Sequence, residues 1–284
     1  MIIFWQQFLI FAAKIIYLMV KVKDISSCIE EFAPLCWQES WDNCGLLVGS
    51  PNQTVHKVLL TFDVTEAVVA EAVDVQAQMI VGHHPLMLSG IKQLTGSSDM
   101  QRAIMLAIKN DIAIYAAHTN MDSAPGGVSY RMAKKIGLTS MQVLSPQITD
   151  LRNADIQVGL GLVGILPAPV SELNFLNQLK DIFSTPVIRH TCLTGRNIQK
   201  VALCGGSGSS LLANAIRSKA EVFVTADFKY HQFADAEHDI LVADIGHFES
   251  EHFVKEIFHE LLIKKNATFA VQFSKIKTNP INYL

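Results

Sequence analysis

Two adjacent histidines, His83 and His84, close the apolar run Gln-Met-Ile-Val-Gly and are followed by Pro85. Imidazole is the commonest protein ligand for transition metals. The proline biases the residue before it away from helix, so both rings sit in a loop. Neighbouring side chains diverge, and the pair therefore suits two ions better than one. A second apolar run, residues 112–117, leads into His118-Thr119-Asn120-Met121-Asp122. A third, residues 240–245, leads into Gly246-His247, with Glu251 four positions on. Residues four apart at the start of a helix share a face. One histidine at a strand end is usually structural, but here three strand ends carry metal-competent side chains.

The candidate ligands are thus His83, His84, Asp122, His247 and Glu251. Two four-coordinate ions need about eight donors. Five residues with one bridging carboxylate, Asp122 or Glu251, supply about six, which leaves positions for water or substrate. Catalytic sites keep such openings and structural sites do not. Two divalent ions, two carboxylates and one hydroxide sum to a charge of about +1, which favours an anionic substrate. Three imidazoles with two carboxylates suit zinc, iron or manganese alike.

For this chemistry the strand ends must converge. Residues 25–32 carry apolar side chains at helical spacing, and that helix stops near Pro34. Residues 57–62, 78–81 and 112–117 predict strands, and residues 65–75, 99–109 and 128–136 predict helices. A second series predicts strands at 158–165, 187–192, 201–204, 222–225, 240–244 and 269–273. Its helices fall at 171–183, 209–219, 229–237 and 249–265. The rhythm implies an α/β fold of two interlinked lobes, with mixed, largely parallel sheets flanked by helices. In such sheets ligands bind beyond the carboxyl ends of the strands. The polar stretch 139–153 marks the lobe break, so the lobes are expected at 19–140 and 141–284, with C-terminal elements free to return to the first.

Other residues carry two readings. Gly205-Gly206-Ser207-Gly208 follows a strand and opens a helix, so it is either a phosphate cradle or a tight turn; it lacks the Gly-Lys-Ser/Thr ending of a P-loop. Asp227, Lys229 and His231 follow another strand end, where proton transfer, substrate contact or simple capping would each account for them. Asp227 and His231 are the candidate catalytic groups. His118, close to Asp122, is read as orienting a ligand. The remaining histidines are read as structural or solvated.

With 284 residues, half of them hydrophobic, and a formal net charge of −3, the chain has material for one large domain or two packed lobes. It lacks the basic field of a nucleic-acid binder, so no nucleic acid is expected as a partner. Five cysteines without a CxxC pair read as free thiols in a reducing cytoplasm. Residues 1–18 are apolar but interrupted by Gln6, Gln7 and Lys14. They read as an upstream-extended start, an interfacial or signal-anchor segment, or an extra helix. No membrane association is expected unless that segment is a true anchor.

The segments WDNCGLLVG, VGHHPLMLSGIK, AAHTNMDSAPGGVS, ALCGGSGSS, TADFKYHQFADA and ADIGHFESE together resemble the NIF-three-like family, also known as GTP cyclohydrolase type 2-like proteins. The similarity runs from about Val20 to the C-terminus. It implies a two-lobed subunit with a dinuclear metal centre between the lobes, and a toroidal homohexamer built as a trimer of dimers. It implies ligands at His83, His84, Asp122, His247 and Glu251, the positions already selected. Some relatives carry an inserted domain, for which residues 137–200 leave no room. A Thr-Gly-Glu common in relatives is Thr225-Ala226-Asp227 here, with a shorter carboxylate and no glycine. Residues 1–18 have no counterpart in the family.

The expected function is metal-dependent hydrolysis of a nucleotide or other phosphate-containing substrate, with GTP ring opening as the version the resemblance implies. The rival expectation is a non-catalytic, metal-binding hexameric scaffold or regulatory protein.

Overall fold

The computed structural model describes residues 20–149, 157–236, 238–265 and 269–284. The expectations for residues 1–18 lie outside the described residues. In chain order the elements begin with α1 (Val22–Phe32), β1 (Gly45–Val48), β2 (Lys57–Leu60), α2 (Glu66–Asp74), β3 (Met79–Gly82), α3 (Asp99–Lys109) and β4 (Ala113–Ala116). There follow α4 (Thr119–Ser123), α5 (Val128–Ile136), β5 (Thr139–Thr149), β6 (Gln157–Ser171), α6 (Glu172–Phe183), β7 (Arg189–His190) and β8 (Asn197–Ser207). The last are α7 (Leu212–Arg217), β9 (Val222–Ala226), α8 (Tyr230–Ala234), β10 (Leu241–Asp244), α9 (His247–Glu251), α10 (Val254–Lys265) and β11 (Ala270–Phe273). Two compact units result. Of the described residues, those up to Leu35 and those within Ser40–His118 and Lys255–Thr278 form one; those within Cys36–Glu39, Thr119–Val254 and Asn279–Leu284 form the other.

In the first unit the sheet order is β1-β4-β3-β2-β11. All pairings are parallel except β1 with β4. Strands β3 and β4 are buried at every residue, the signature of a parallel sheet covered on both faces. Side chains alternate between faces. Leu59, Ile80 and Ile114 pack with Val68, Val69 and Ala72 of α2 and with Ala103, Ile104 and Ala107 of α3. Tyr115 points the other way, and its hydroxyl donates to Glu30 of α1 at 3.1 Å. On that side Cys28 of α1 also bonds the Leu261 carbonyl of α10. Thr65 and Ser98 start α2 and α3 by accepting from Val68 and Gln101 amides, as N-cap side chains do.

The second unit holds the sheet β5-β6-β8-β9-β10-β7. Only β8, β9 and β10 run parallel to one another; β5, β6 and β7 join antiparallel. Ala202, Phe223 and Val242 from the sheet pack with Leu212 and Ala215 of α7 and with Phe228. The fold class matches the expectation, but the second sheet is more mixed than a βαβα rhythm implies, because a hairpin and a two-residue return strand extend it.

Two local expectations need correcting, and one strand was not foreseen. The polar stretch expected as the lobe break forms edge strand β5 over Thr139–Thr149, and the chain changes unit at Thr119 instead. An edge strand needs few apolar residues, here Met141, Val143, Leu144 and Ile148 among Ser, Thr, Gln and Pro. The single final helix is two, α9 and α10, parted by a turn at His252 and Phe253. Strand β1 was not anticipated: four residues after Asn43-Cys44 give too short a pattern. Among the described residues, no helix is long and apolar enough to cross a membrane.

Candidate metal centre

Strands β3 and β4 are parallel neighbours with Gly82 opposite Ala116, so their carboxyl ends deliver His83, His84 and His118 to one place in the first unit. The ring centroids lie 5.0 Å (His83–His84), 5.2 Å (His83–His118) and 5.1 Å (His84–His118) apart. One ligand nitrogen from each lies within 4.8 Å of the others. Each ring is held through Nδ1: His83 at 2.8 Å from the Ala117 carbonyl oxygen, His84 at 2.6 Å from Asp63 Oδ1, and His118 at 2.9 Å from Asp42 Oδ1. A carbonyl only accepts, so His83 Nδ1 carries the hydrogen and Nε2 keeps its lone pair. The two carboxylates select the same tautomer in His84 and His118. Ligating histidines characteristically donate their other ring nitrogen to such oxygens, which fixes ring orientation and raises basicity. Burial pushes the Asp63 carboxyl up, but its hydrogen bond to His84 and that ring's charge outweigh this and hold it below the usual range.

In the second unit β9 and β10 are also parallel neighbours, with Thr225 opposite Asp244. Past the end of β9, Asp227 adopts φ +60° and places Oδ2 at 2.7 Å from His247 Nδ1. Past the end of β10, Gly246 at φ +93° turns the chain into α9. That positive φ favours glycine, and a Cβ there would also lie 2.2 Å from a Glu249 oxygen. On α9, His247 Nε2 lies 3.0 Å from Glu251 Oε2. Burial lowers the His247 pKa, but hydrogen bonds to Asp227 and Glu251 and their charges override it and raise it to about 11. The hydrogen bond to His247 in turn holds Asp227 below the ordinary carboxylate range.

Asp122 and Glu251 are both buried. They also share a neighbour: burial first, and then these two carboxylates, push the Cys204 thiol well up. That rules against a thiolate at Cys204, and all five cysteines are free thiols. Two buried carboxylates thus flank a neutral thiol, and one of them, Glu251, is paired with His247.

The Gly205–Gly206 pair serves this carboxylate. A Cβ on Gly206, at φ +58°, would lie 2.2 Å from Glu251 Oε1; one on Gly205 would lie 2.7 Å from Val128 Cγ1. The Gly206 amide donates to Ser250 Oγ at 2.9 Å, and its carbonyl accepts from Thr225 Oγ1 at 3.0 Å. Beyond the two readings of Gly205–Gly208, close packing, of Gly206 against Glu251 and of Gly205 against Val128, accounts for the pair.

The expected ligands therefore fall into two groups, His83 with His84 in the first unit and Asp122, His247 and Glu251 in the second. His118, expected to orient a ligand, stands as a third imidazole beside His83 and His84. Asp227, expected in proton transfer, sits against His247 Nδ1. His231 is exposed on α8 with its ring edge-on to Tyr230, and the Lys229 amide caps that helix through Gln232 Oε1 at 2.8 Å. Sequence reasoning missed Asp42 and Asp63. Asp63 lay within its reach, since it follows the end of a strand as the ligands do.

Residues 20–280 match the family model described as Duf34/NIF3 (NGG1p interacting factor 3). A Clostridium perfringens protein named GTP cyclohydrolase 1 type 2 homolog is 34% identical over 82% of this chain and 87% of its own length. A Lactococcus lactis protein of the same name is 31% identical over 92% and 98%. NIF3-like protein 1 of Drosophila melanogaster is 31% identical over 89% and 86%. Among solved structures, the Staphylococcus aureus protein SA1388 superposes with a TM-score of 0.83 at 27% identity, covering 93% of this chain and 99% of its own. A Bacillus cereus protein related to NIF3 gives 0.84 at 24% identity, with 94% and 100% covered, and shares the fold.

Proposed function

Because the chain belongs to the Duf34/NIF3 (NGG1p interacting factor 3) family, we propose that it is a dinuclear divalent-metal-dependent hydrolase acting on a nucleotide or other phosphate-containing substrate, with GTP ring opening as the specific version. In this reading His83, His84, Asp122, His247 and Glu251 hold two ions of zinc, iron or manganese, and His118 is a further donor. The observation that carries it is four imidazoles with every Nδ1 engaged by a protein oxygen. A structural histidine needs one hydrogen bond; four tied alike point to a set of nitrogen donors, and the buried carboxylates Asp122 and Glu251 of the second unit add oxygen donors to the reading. Ions of this class supply Lewis acidity and a water nucleophile near neutral pH.

The chain's own residues divide the remaining work. Asp42, Asp63 and Asp227 hold their rings in one tautomer. Asp122 and Glu251 offset cationic charge while leaving a net attraction for an anionic substrate. Asp227, its side chain 46% exposed, both touches a ligand and meets water, which suits it to proton transfer better than the outlying His231. The relatives named GTP cyclohydrolase 1 type 2 homolog support the nucleotide version. A cytoplasmic homohexamer, a trimer of dimers, belongs to the same proposal.

The test is a panel of nucleotides and phosphomonoesters offered to protein loaded with zinc, manganese or iron. Turnover of at least one is expected, abolished in Glu251→Gln. No turnover at any loading contradicts the hydrolase reading.

A further inference from the structure

Strand β11 pairs in parallel with β2, Phe273 opposite Leu60, so the chain leaves the sheet at the end where Asp63 and the histidines lie. Its path there is fixed. The Ser274 amide donates to the Leu60 carbonyl at 2.8 Å, and the Lys275 amide donates to Glu71 Oε1 at 2.9 Å. Three residues on, the Thr278 side chain reaches the Asp63 carboxylate, the group that holds His84 Nδ1.

From Asn279 onward the chain belongs to the second unit. Asn279 Oδ1 accepts from the Ile281 amide at 3.0 Å, an Asx turn around Pro280 that sets the course of the last residues. Asn279 Nδ2 is directed at Glu249 Oε1, at 3.5 Å. The Tyr283 hydroxyl lies 3.2 Å from where a Cβ on Gly246 would stand, and it interacts with the same Glu249 carboxylate. Gly246 and Glu249 form the first turn of α9, the turn that presents His247 and, one turn later, Glu251. Glu249 is buried although it stands in that first turn. One short segment thus touches the support of a ligand in each unit: Asp63 behind His84, and the Gly246–Glu249 turn beneath His247.

We propose that the C-terminal segment Thr278–Tyr283 positions the metal ligands, with Thr278 holding the Asp63–His84 pair and Asn279 with Tyr283 holding the turn that carries His247 and Glu251. The proposal rests on the metal-site reading above. None of the three residues is a ligand; they act through Asp63 and Glu249. Removing partners of this kind typically weakens metal binding by about 10–100-fold.

The experiment measures zinc affinity of the full chain by competition with a chromophoric chelator, together with the visible spectrum of the cobalt-loaded protein. Thr278→Val, and Asn279→Ala combined with Tyr283→Phe, should each weaken zinc binding by about tenfold or more and alter the cobalt bands. Thr278→Ser, which keeps the hydroxyl, should restore affinity to within about twofold of the parent on the same scale. Tyr283→Phe alone removes only one hydroxyl, so it tests the idea even if the double variant folds poorly. Affinities and cobalt spectra equal to the parent's in Thr278→Val and Tyr283→Phe would overturn this assignment while leaving the metal site standing. A parent chain that binds neither zinc nor cobalt would overturn the metal reading itself, and this proposal with it.

Discussion

At the scale of residues, a histidine bonded through Nδ1 to a carboxylate is held in one tautomer and one plane, so less side-chain freedom remains to be lost when a cation binds. For His84 that carboxylate is Asp63, and Asp63→Asn keeps the shape while removing the charge. Zinc affinity, read by chelator competition, should fall by about 10–100-fold; an unchanged affinity contradicts the orienting role. His247 makes a prediction about protons. Its pKa rises from 6.5 to about 11, against the pull of burial, because Asp227 and Glu251 favour the imidazolium. The folded protein therefore holds this proton more tightly than the unfolded chain. The resulting stability is fully present below 6.5 and lost as pH rises through about 11. A metal must displace the proton, so affinity should increase with pH across that window. Calorimetry near pH 8 in buffers of different ionisation enthalpy should show about one proton fewer released by His247→Ala than by the parent. Equal release by both would mean His247 is not a ligand.

At the scale of elements, the histidines converge because β3 and β4 are adjacent and parallel, and Asp227 meets His247 because β9 and β10 are too. This much was legible in the sequence, since apolar runs ending in His83, His118 and His247 identify both the strands and their functional ends. The orienting carboxylates were not, because Asp42 and Asp63 are paired with their rings only by tertiary contact. Strand β5 was hidden by its edge position, where burial on one side leaves a polar pattern, and the break between α9 and α10 carries neither Pro nor Gly. Glycines at positive φ were visible only as an ambiguous turn. Gly206→Ala tests the packing of that turn against Glu251. The new Cβ would press on Glu251 Oε1 at 2.2 Å, while the left-handed backbone adds a strain of about 1–2 kcal/mol. A modest drop in Tm with a large loss of bound metal is expected. Wild-type metal content in a folded Gly206→Ala protein contradicts the packing role.

At the scale of the whole molecule, neither unit supplies the expected ligand set alone. His83 and His84, with His118 beside them, lie in the first, and Asp122, His247 and Glu251 lie in the second. A chain that changes unit at Thr119, between His118 and Asp122, spreads one short motif across both. The return of Lys255–Thr278 to the first unit then leads into the C-terminal segment beside Asp63. That division explains why the expected lobe boundary near residue 140 was misplaced: composition changes there, but the packing changes at the histidine motif. The account depends on cations held by side chains from distant parts of the chain, with a carboxylate serving more than one of them. The most direct test is elemental analysis of the zinc-loaded protein after exhaustive gel filtration, beside the variant Asp122→Asn. Two ions per chain are predicted for the parent, falling to half or less in the variant while circular dichroism stays native. A parent that retains no metal, or a variant that retains both ions, contradicts it.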